Sequence, residues 1–471
     1  MIVVSLAVLE IARHGLEITP FQVGQTPVTQ YARSGADGPV AVVAHGFAGS
    51  QQMMQGYALP LARAGYRVFV FEFLGHGRHP LPMSGDVSSV DGTTRLLVEQ
   101  TADVIGAVRQ GDGPVALVGH SMATDILVRV AADRADVGPV VLISAFSQEI
   151  DDRTPENLLL VTGQWEAGLR RFALEALQMV DPGAAEGDTA VNGSVSRRAI
   201  IAPFTEHVSV LHSSAGRRET LAWLDRAYGR GSDIAVLPTG WAILGLLAGL
   251  VMIFRPLCRL LLPKREIACQ PLSLRQTATI LLLPAALAPV CAVALKSDFL
   301  PVLVADYLVL HLFVFGAIQL ALLRFWRVPA GPLSWSSLAL LLLACAVFGL
   351  ALDRYAANFV PTVGRLQIIA AMMIGAVPYM VADAVLTAGQ SFFKRLCTRV
   401  SFLTSLGIAV ALDFDNLFFL IMIAPILVLF YMVFGTMGRD ASMRAGPLSS
   451  GLALGLVLAW ALGVSFPLFK A

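Results

Sequence analysis

The carboxyl-terminal half of the chain is a series of apolar segments that contain no charged residue. A membrane-spanning helix needs about 20 predominantly apolar residues, and only helices and closed barrels satisfy every backbone polar group inside a bilayer. The sequence therefore predicts an all-α polytopic transmembrane domain of about eight helices over residues 234–471. The uncharged segments are residues 234–254, 277–295, 307–323, 328–352, 366–382, 400–412, 416–438 and 445–469. The shortest, residues 400–412, spans the bilayer only if Asp413 and Asp415 lie at the interface.

Basic residues in the connecting segments are concentrated on one side of the predicted membrane. That side carries Arg255, Arg259, Lys264, Arg265, Arg275, Arg324, Arg327, Lys394, Arg395, Arg399, Arg439 and Arg444. The other side carries Lys296, Arg354, Arg365 and Lys470. Positive residues mark the cytoplasmic side, so this side is expected to face the cytoplasm. We expect an integral protein of the inner or plasma membrane. Residues before 234 and the C-terminus should then lie on the outer, periplasmic face.

The first twelve residues are apolar except for Ser5 and Glu10. They are too few to cross the hydrocarbon core alone. An N-terminal segment over residues 1–24 could therefore be a partial membrane anchor, a shortened span, or a buried first strand or helix.

Residues 25–233 alternate short apolar strands with amphipathic helices, which is typical of a mostly parallel sheet covered by helices on both faces. The predicted strands are residues 40–44, 66–73, 115–118, 140–144, 158–162 and 199–202. The predicted helices include residues 53–64, 93–109, 124–134 and 219–228. The fold class is thus α/β, followed by the all-α transmembrane domain.

A strand, a Gly-X-Ser turn and a helix follow one another at residues 115–123, which read Val-Ala-Leu-Val-Gly-His-Ser-Met-Ala. This order places Ser121 on a sharp strand-to-helix bend, with the backbone N–H of Met122 directed towards the group that the hydroxyl would attack. Gly-X-Ser alone is common in proteins, and the alternative is an ordinary turn serine. The preceding strand and following helix favour a nucleophile.

Residues 25–230 resemble an α/β-hydrolase of the monoacylglycerol-lipase and serine-aminopeptidase-like branch. The motifs that carry the resemblance are His45-Gly46-Phe47, Gly75-His76-Gly77-Arg78, Gly119-His120-Ser121-Met122-Ala123, Gly163-Gln164-Trp165-Glu166 and Glu206-His207. Two residues depart from the family pattern: Ala123 replaces the usual closing glycine, and Glu166 replaces the more common aspartate.

The resemblance implies a catalytic triad of Ser121 as nucleophile, His207 as base and Glu166 as the acid that orients the imidazole. The backbone N–H groups of Phe47 and Met122 would form the oxyanion hole. The residues leave alternatives open, and these are His212 for the base and Asp151 or Asp152 for the acid. His76 and His120 are interpreted as structural or pocket-lining residues.

These features predict a membrane-integrated serine esterase or lipase that cleaves lipid or acyl esters through an acyl-enzyme. Many family members carry a cap where this chain has the short polar segment 147–157, so we expect an uncapped site. The alternative is a transport or sensing protein with a degenerate hydrolase-fold module, for which Asp306 with His311, and Asp383, are the intramembrane candidates. The five cysteines lie after residue 234 without metal-ligand spacing, and we expect neither metal nor cofactor. With a net charge of +1 and no basic stripe, no nucleic-acid partner is expected.

Overall fold

The computed structural model describes residues 1–86, 90–109, 111–264, 272–295 and 299–470. Arg265 and Lys296 of the charge pattern, and Cys269, lie outside the described residues. The chain packs as two compact units. The sheet unit comprises Met1–Leu246, Leu352–Asn358 and Pro467–Lys470, and the helical unit comprises Leu247–Ala351 and Phe359–Phe466.

The sheet unit is built on one nine-stranded sheet of order β1-β2-β4-β3-β5-β6-β7-β9-β8. The strands are β1 (Leu16–Val23), β2 (Thr26–Arg33), β3 (Val40–Ala44), β4 (Arg67–Phe71), β5 (Val115–His120), β6 (Val137–Ile143), β7 (Asn157–Gly163), β8 (Thr189–Asn192) and β9 (Val195–Ala202). The strands from β4 to β9 pair in parallel, whereas β1, β2 and β8 pair antiparallel at the edges. The predicted mostly parallel sheet is therefore confirmed.

The edge strands are the elements that the sequence did not clearly predict. The central strand β3 is buried at every position, whereas β1 alternates between partly buried and exposed positions. An edge strand therefore lacks the continuous apolar run that identified the central ones. Residue 25 falls in the turn between β1 and β2, so the sheet extends into the expected N-terminal segment.

The helices of the sheet unit are α1 (Ile2–Arg13), α2 (Gln55–Arg63), α3 (Arg95–Val108), α4 (Met122–Asp133), α5 (Ala167–Gln178) and α6 (Ser214–Ala227). Helix α1 buries Leu9 and Ala12, while Val3 and Val4 on its other face are exposed. The segment between β6 and β7, every residue of which is described, contains no helix or strand. The prediction that no cap is inserted there is confirmed.

Eight helices among the described residues are long and apolar enough to span a membrane, as predicted. They are α7 (Thr239–Leu261), α8 (Leu274–Ala294), α9 (Ala305–Phe325), α10 (Trp335–Tyr355), α11 (Val363–Thr387), α12 (Phe392–Leu412), α14 (Leu420–Ala445) and α15 (Pro447–Ser465), with the short α13 (Phe414–Leu417) between α12 and α14. The sixth of these helices is longer than the uncharged segment 400–412, because its first turns carry Lys394, Arg395 and Arg399 and extend it to 21 residues.

Glycines allow α15 to lie directly on α11 in the helical unit. A Cβ on Gly451 would lie 2.6 Å from the Val381 Cα, and a Cβ on Gly455 would lie 2.6 Å from the Val377 Cα. The spacing Gly-x-x-x-Gly is a common solution for close helix contact in membranes, where apolar burial between helices supplies little driving force.

Candidate active site

Ser121 lies at the carboxyl end of β5, directly before α4 begins at Met122. Its backbone has φ 53° and ψ −117°, a conformation that an L-residue adopts only under local constraint. The turn is tight enough that a Cβ on Gly119 would lie 2.6 Å from Leu127 Cδ1 and 3.2 Å from the Ala123 Cβ. The alanine in place of the usual closing glycine is accommodated because residue 119 has no side chain.

His207 and Glu166 lie in line with Ser121. The Ser121 hydroxyl donates to His207 Nε2 over 2.8 Å, and His207 Nδ1 donates to Glu166 Oε1 over 2.6 Å. Because an ionised carboxylate can only accept, Nδ1 carries the proton and Nε2 is free to accept from the serine. The structure brings together three side chains that are far apart in the sequence.

The Glu166 carboxylate is buried but accepts further hydrogen bonds. Its Oε2 accepts from the Gly163 N–H over 2.6 Å and from the Ser144 hydroxyl over 2.8 Å. Burial alone raises the pKa of Glu166, but the hydrogen bonds from His207, Gly163 and Ser144 outweigh it and hold the pKa below its ordinary value. The group is therefore ionised at neutral pH and can stabilise a positive charge on the imidazole.

The alternative residues lie elsewhere. His212 packs its Cβ against the Gly240 backbone and is partly buried, and the loss of solvent around the ring lowers its pKa to about 4. Asp151 accepts from the backbone N–H groups of Arg153 and Thr154 within its own turn. Neither is hydrogen-bonded to His207 or Ser121.

The loop after β3 passes directly against the nucleophile. A Cβ on Gly46 would lie 3.0 Å from the Ser121 Cβ, so only glycine permits this approach. His45 fixes the loop, because its Nε2 accepts from the Phe73 N–H over 3.2 Å and its Nδ1 therefore donates to the Gly46 carbonyl over 2.8 Å. Burial lowers the pKa of His45 to about 4, which keeps the ring neutral and this pattern intact.

Phe47 follows Gly46 within the loop after β3, and Met122 is the first residue of α4. The N–H groups of a helix's first turn have no partner within the helix, and the helix dipole favours negative charge there. The two residues named from the sequence for an oxyanion hole thus stand on the two segments that border Ser121.

Further residues hold this arrangement, and sequence reasoning missed Ser144. Ser144 has φ 53° directly after β6 and turns its hydroxyl towards Glu166. Glu206 accepts from the N–H groups of Val208 and Ser209, which fixes the loop that carries His207. His120 donates from Nε2 to the His207 carbonyl over 2.8 Å. The Glu206-His207 motif marked this loop in the sequence, but no motif pointed to Ser144.

The C-terminal tail is also part of the sheet unit and approaches Phe47 in the loop after β3. The Leu468 N–H donates to the Gly75 carbonyl, and the Met83 N–H donates to the Leu468 carbonyl, each over 2.8 Å. The Phe469 side chain is buried, and its ring centroid lies 6.4 Å from that of Phe47. The tail therefore packs one ring away from a proposed oxyanion donor.

Large apolar side chains are exposed on the segments that follow β6, β7 and β9, the last two of which carry Glu166 and His207. Trp165 is 64% exposed and Phe204 78% exposed, and Phe146 and Val208 are also exposed. A soluble monomer rarely gathers such residues without a binding function. We call these four residues the apolar rim.

Comparison with known proteins agrees with the architecture of the sheet unit. The model of a family described as "Serine aminopeptidase, S33" matches residues 37–181, a range that includes Phe47, Ser121 and Glu166 and ends before His207. No curated protein matches the chain significantly.

Similar solved structures include several hydrolases. They include a predicted CIB-like hydrolase from Thermoplasma acidophilum, 16% identical over 45% of this chain and 98% of that chain with a TM-score of 0.36. A dienelactone hydrolase from Anabaena variabilis is 17% identical over 45% of this chain and 99% of that chain, with a TM-score of 0.33. A membrane phospholipase A is 15% identical over 48% of this chain and 92% of that chain, with a TM-score of 0.34.

Replacement of Phe469 by alanine should slow the reaction of Ser121 with a fluorophosphonate probe about 2- to 10-fold, because one aromatic contact contributes about 0.5–1.5 kcal/mol to holding the Phe47 loop. The second-order labelling rate and the separate kcat and KM for an ester would be measured on the full chain. Phe469→Leu should restore much of the rate.

Lys470→Ala is the matched control, because Lys470 joins the same pairing only through its backbone N–H to the Met83 carbonyl. Equal rates for Phe469→Ala and Lys470→Ala, or a change confined to KM, would contradict a positioning role for the tail.

Proposed function

We propose that this chain, whose sheet unit is an α/β-hydrolase domain, is a membrane-integrated serine hydrolase that cleaves carboxylic esters of lipid or acyl type. The observation that carries the proposal is the unbroken hydrogen-bonded line from Ser121 through His207 to the ionised Glu166. Hydrolase activity is consistent with the family match over residues 37–181.

The geometry supports acyl transfer through a covalent intermediate. The Ser121 oxygen attacks the ester carbonyl while its proton moves to His207 Nε2, and Glu166 stabilises the imidazolium that forms. The carbonyl oxygen becomes an oxyanion that the N–H groups of Phe47 and Met122 stabilise. His207 then protonates the leaving alcohol, and a water molecule activated by the same nitrogen hydrolyses the acyl-enzyme and frees the acid.

A lipid or long-chain acyl ester is the substrate class that the surroundings of the site favour. The segment between β6 and β7, all of which is described, contains no helix or strand that could form a cap, and the apolar rim is exposed. Among the described residues, eight helices of membrane-spanning length follow the sheet unit's catalytic segments along the chain. An apolar rim gains free energy by taking an acyl chain out of water or by contacting a bilayer surface.

The alternative function, transport or sensing with a degenerate hydrolase module, fits the site less well. A degenerate module would have no need for the full set of hydrogen bonds that hold Glu166 ionised and Nδ1 protonated. Two intramembrane candidates from the sequence also have structural roles. Asp306 accepts from the N–H groups of Phe299 and Leu300, and His311 bonds to Tyr307 and Ser405.

The proposed orientation places the sheet unit on the outer face. Two later segments belong to the sheet unit: Leu352–Asn358, which begins in the last turn of α10 and ends before α11, and Pro467–Lys470, which follows α15. If each long helix crosses the membrane once, the chain returns to the side of the sheet unit after α7, α8, α9 and α10. It returns there again after α11, α12, α14 and α15. The basic residues gather at the opposite helix ends, and the positive-inside rule makes those ends cytoplasmic.

Ser121→Ala and His207→Ala should each abolish ester hydrolysis and fluorophosphonate labelling of the membrane-inserted protein. The losses should not add in the double variant, because the residues act as a unit. His212→Ala is the control and should remain active if it folds. An inactive His212→Ala with a folded, active His207→Ala would refute the assignment, and an unlabelled wild-type protein would favour the degenerate module.

The kcat/KM of the wild-type protein should rise along a C2-to-C16 ester series, by at most about fourfold per methylene, because a buried methylene contributes about 0.8 kcal/mol. Trp165→Ser and Phe204→Ser should reduce the gain for long chains and leave the C2 ester unchanged. Val191→Ser, an equally exposed position on the edge strand β8, should leave the whole profile unchanged. A flat wild-type profile would contradict the substrate class.

Single cysteines introduced at Asp37 and Lys470, in a background without native cysteines, should react with a membrane-impermeant thiol reagent in intact cells. A cysteine at Lys264 should react only after the cells are permeabilised. All three positions are exposed, so burial does not limit the reaction. Labelling at Lys264 alone in intact cells would invert the orientation.

A further inference from the structure

A cavity of about 520 Å³ lies within the helical unit, between α11, α12, α14 and α15. Its polar lining includes Asp383, Arg395, Arg399, Arg439, Ser442 and Ser450, and the remainder is mainly aliphatic. The volume is within the range of small-molecule and lipid-headgroup sites. The proposed catalytic mechanism uses none of these residues.

The arginines make the polar end of the cavity basic. Arg399 lies 3.4 Å from Asp383 and 4.5 Å above the centre of the Tyr431 ring. Among the described ion pairs, Arg439 forms one, with Asp440 at 3.7 Å, which is beyond hydrogen-bonding distance. Arg395 donates to the Gln390 carbonyl and has no carboxylate partner among the described ion pairs. The positive charge therefore exceeds the negative charge at this end.

Several polar atoms of this cluster are shielded from solvent and lack a hydrogen-bond partner within the described part of the chain. They are the Nε atoms of Arg399 and Arg439, the Ser450 Oγ and the Asp383 Oδ1. Asp383 is 2% exposed. Buried polar groups are rarely left unpaired, so this set calls for a ligand with acceptor oxygens for the arginines and a donor hydroxyl for Asp383.

The aliphatic end of the cavity opens onto the outer surface of the helices. Leu396, Val400, Val428 and Met432 line it and are exposed, with Met432 at 64%. Exposed aliphatic residues in spanning helices contact hydrocarbon. The ligand that fits both ends has an anionic, hydroxylated head and an apolar chain.

In the orientation proposed above, the polar end of the cavity would lie at the depth of lipid headgroups. It is lined by the last turn of α11, the first turns of α12 and the last turns of α14, where the predicted cytoplasmic basic residues gather. Basic pockets between helices on the cytoplasmic side are suited to phospholipid headgroups.

We propose that this cavity is a binding site for an anionic phospholipid whose headgroup carries a phosphate diester and a hydroxyl. The phosphate oxygens accept from Arg395, Arg399 and Arg439, and the headgroup hydroxyl donates to Asp383. An acyl chain follows Leu396, Val400 and Val428 towards the hydrocarbon. The site is independent of the proposed hydrolysis and does not require it.

The test uses the purified full chain in a non-ionic detergent, titrated with dioleoyl phosphatidylglycerol, dioleoyl phosphatidylcholine, glycerol phosphate or inorganic phosphate. Binding is measured by native mass spectrometry and by the shift in Tm. Phosphatidylglycerol should bind at least tenfold more tightly than phosphatidylcholine. Equal affinity of the two lipids would overturn the proposal, and so would equally tight binding of inorganic or glycerol phosphate, which would assign a free-anion site.

Arg395→Gln/Arg439→Gln should weaken phosphatidylglycerol binding at least tenfold. The matched control is Arg324→Gln/Arg327→Gln, which removes two exposed charges from the same basic side outside the cavity and should leave binding unchanged. An equal loss of phosphatidylglycerol affinity in the two double variants would show that general surface charge causes the effect, and it would overturn the proposed site.

Val428→Trp tests the aliphatic end without removing a charge, and it serves if the arginine variant does not fold. It should weaken phosphatidylglycerol binding by filling the path of the acyl chain. Unchanged binding in a folded Val428→Trp protein would overturn the proposed lipid.

Discussion

The parallel pairing of β3, β5, β6 and β7 is the constraint on which the candidate active site depends. Parallel strands end at the same edge of a sheet, so the residues that follow each strand meet there. The Gly46 loop follows β3, Ser121 follows β5, Ser144 follows β6 and Glu166 follows β7. The backbone hydrogen bonds between these strands therefore fix where each of these residues lies.

The protonation state of buried Glu166 depends on the residues that meet at this edge of the sheet. A carboxylate in an apolar setting tends to take up a proton, and three donors from β6, β7 and the His207 loop reverse that tendency. The same donors fix the direction of the carboxylate, and with it the tautomer of His207. The longer glutamate arm is accommodated because Ser144 and Gly163 hold its second oxygen.

Polar groups in the helical unit fall into satisfied and unsatisfied sets. His311 is enclosed by Tyr307 and Ser405, with each ring nitrogen paired, so it needs no ligand. Asp383 has a long ion pair with Arg399 and an unpaired oxygen in a cavity. An unpaired polar group at low dielectric costs free energy, so the unpaired oxygen of Asp383 indicates a missing ligand, whereas the paired nitrogens of His311 do not.

The sequence by itself determined the elements whose physical signal is local. Continuous apolar runs identified the central strands and the eight long helices, because burial on all sides removes polar residues from a segment. The Gly-X-Ser turn placed Ser121, because its geometry is set by adjacent residues. Edge strands such as β1, whose exposed positions break the pattern, were not identified.

Only the tertiary structure decided which distant residues meet. His207 and His212 are five positions apart and chemically equivalent, and the choice depends on where β9 ends relative to β5. The contacts of Ser144 with Glu166 and of Phe469 with the Phe47 loop span separations for which the local sequence contains no pattern. Periodicity reports burial along one element, whereas a site is a property of several elements packed together.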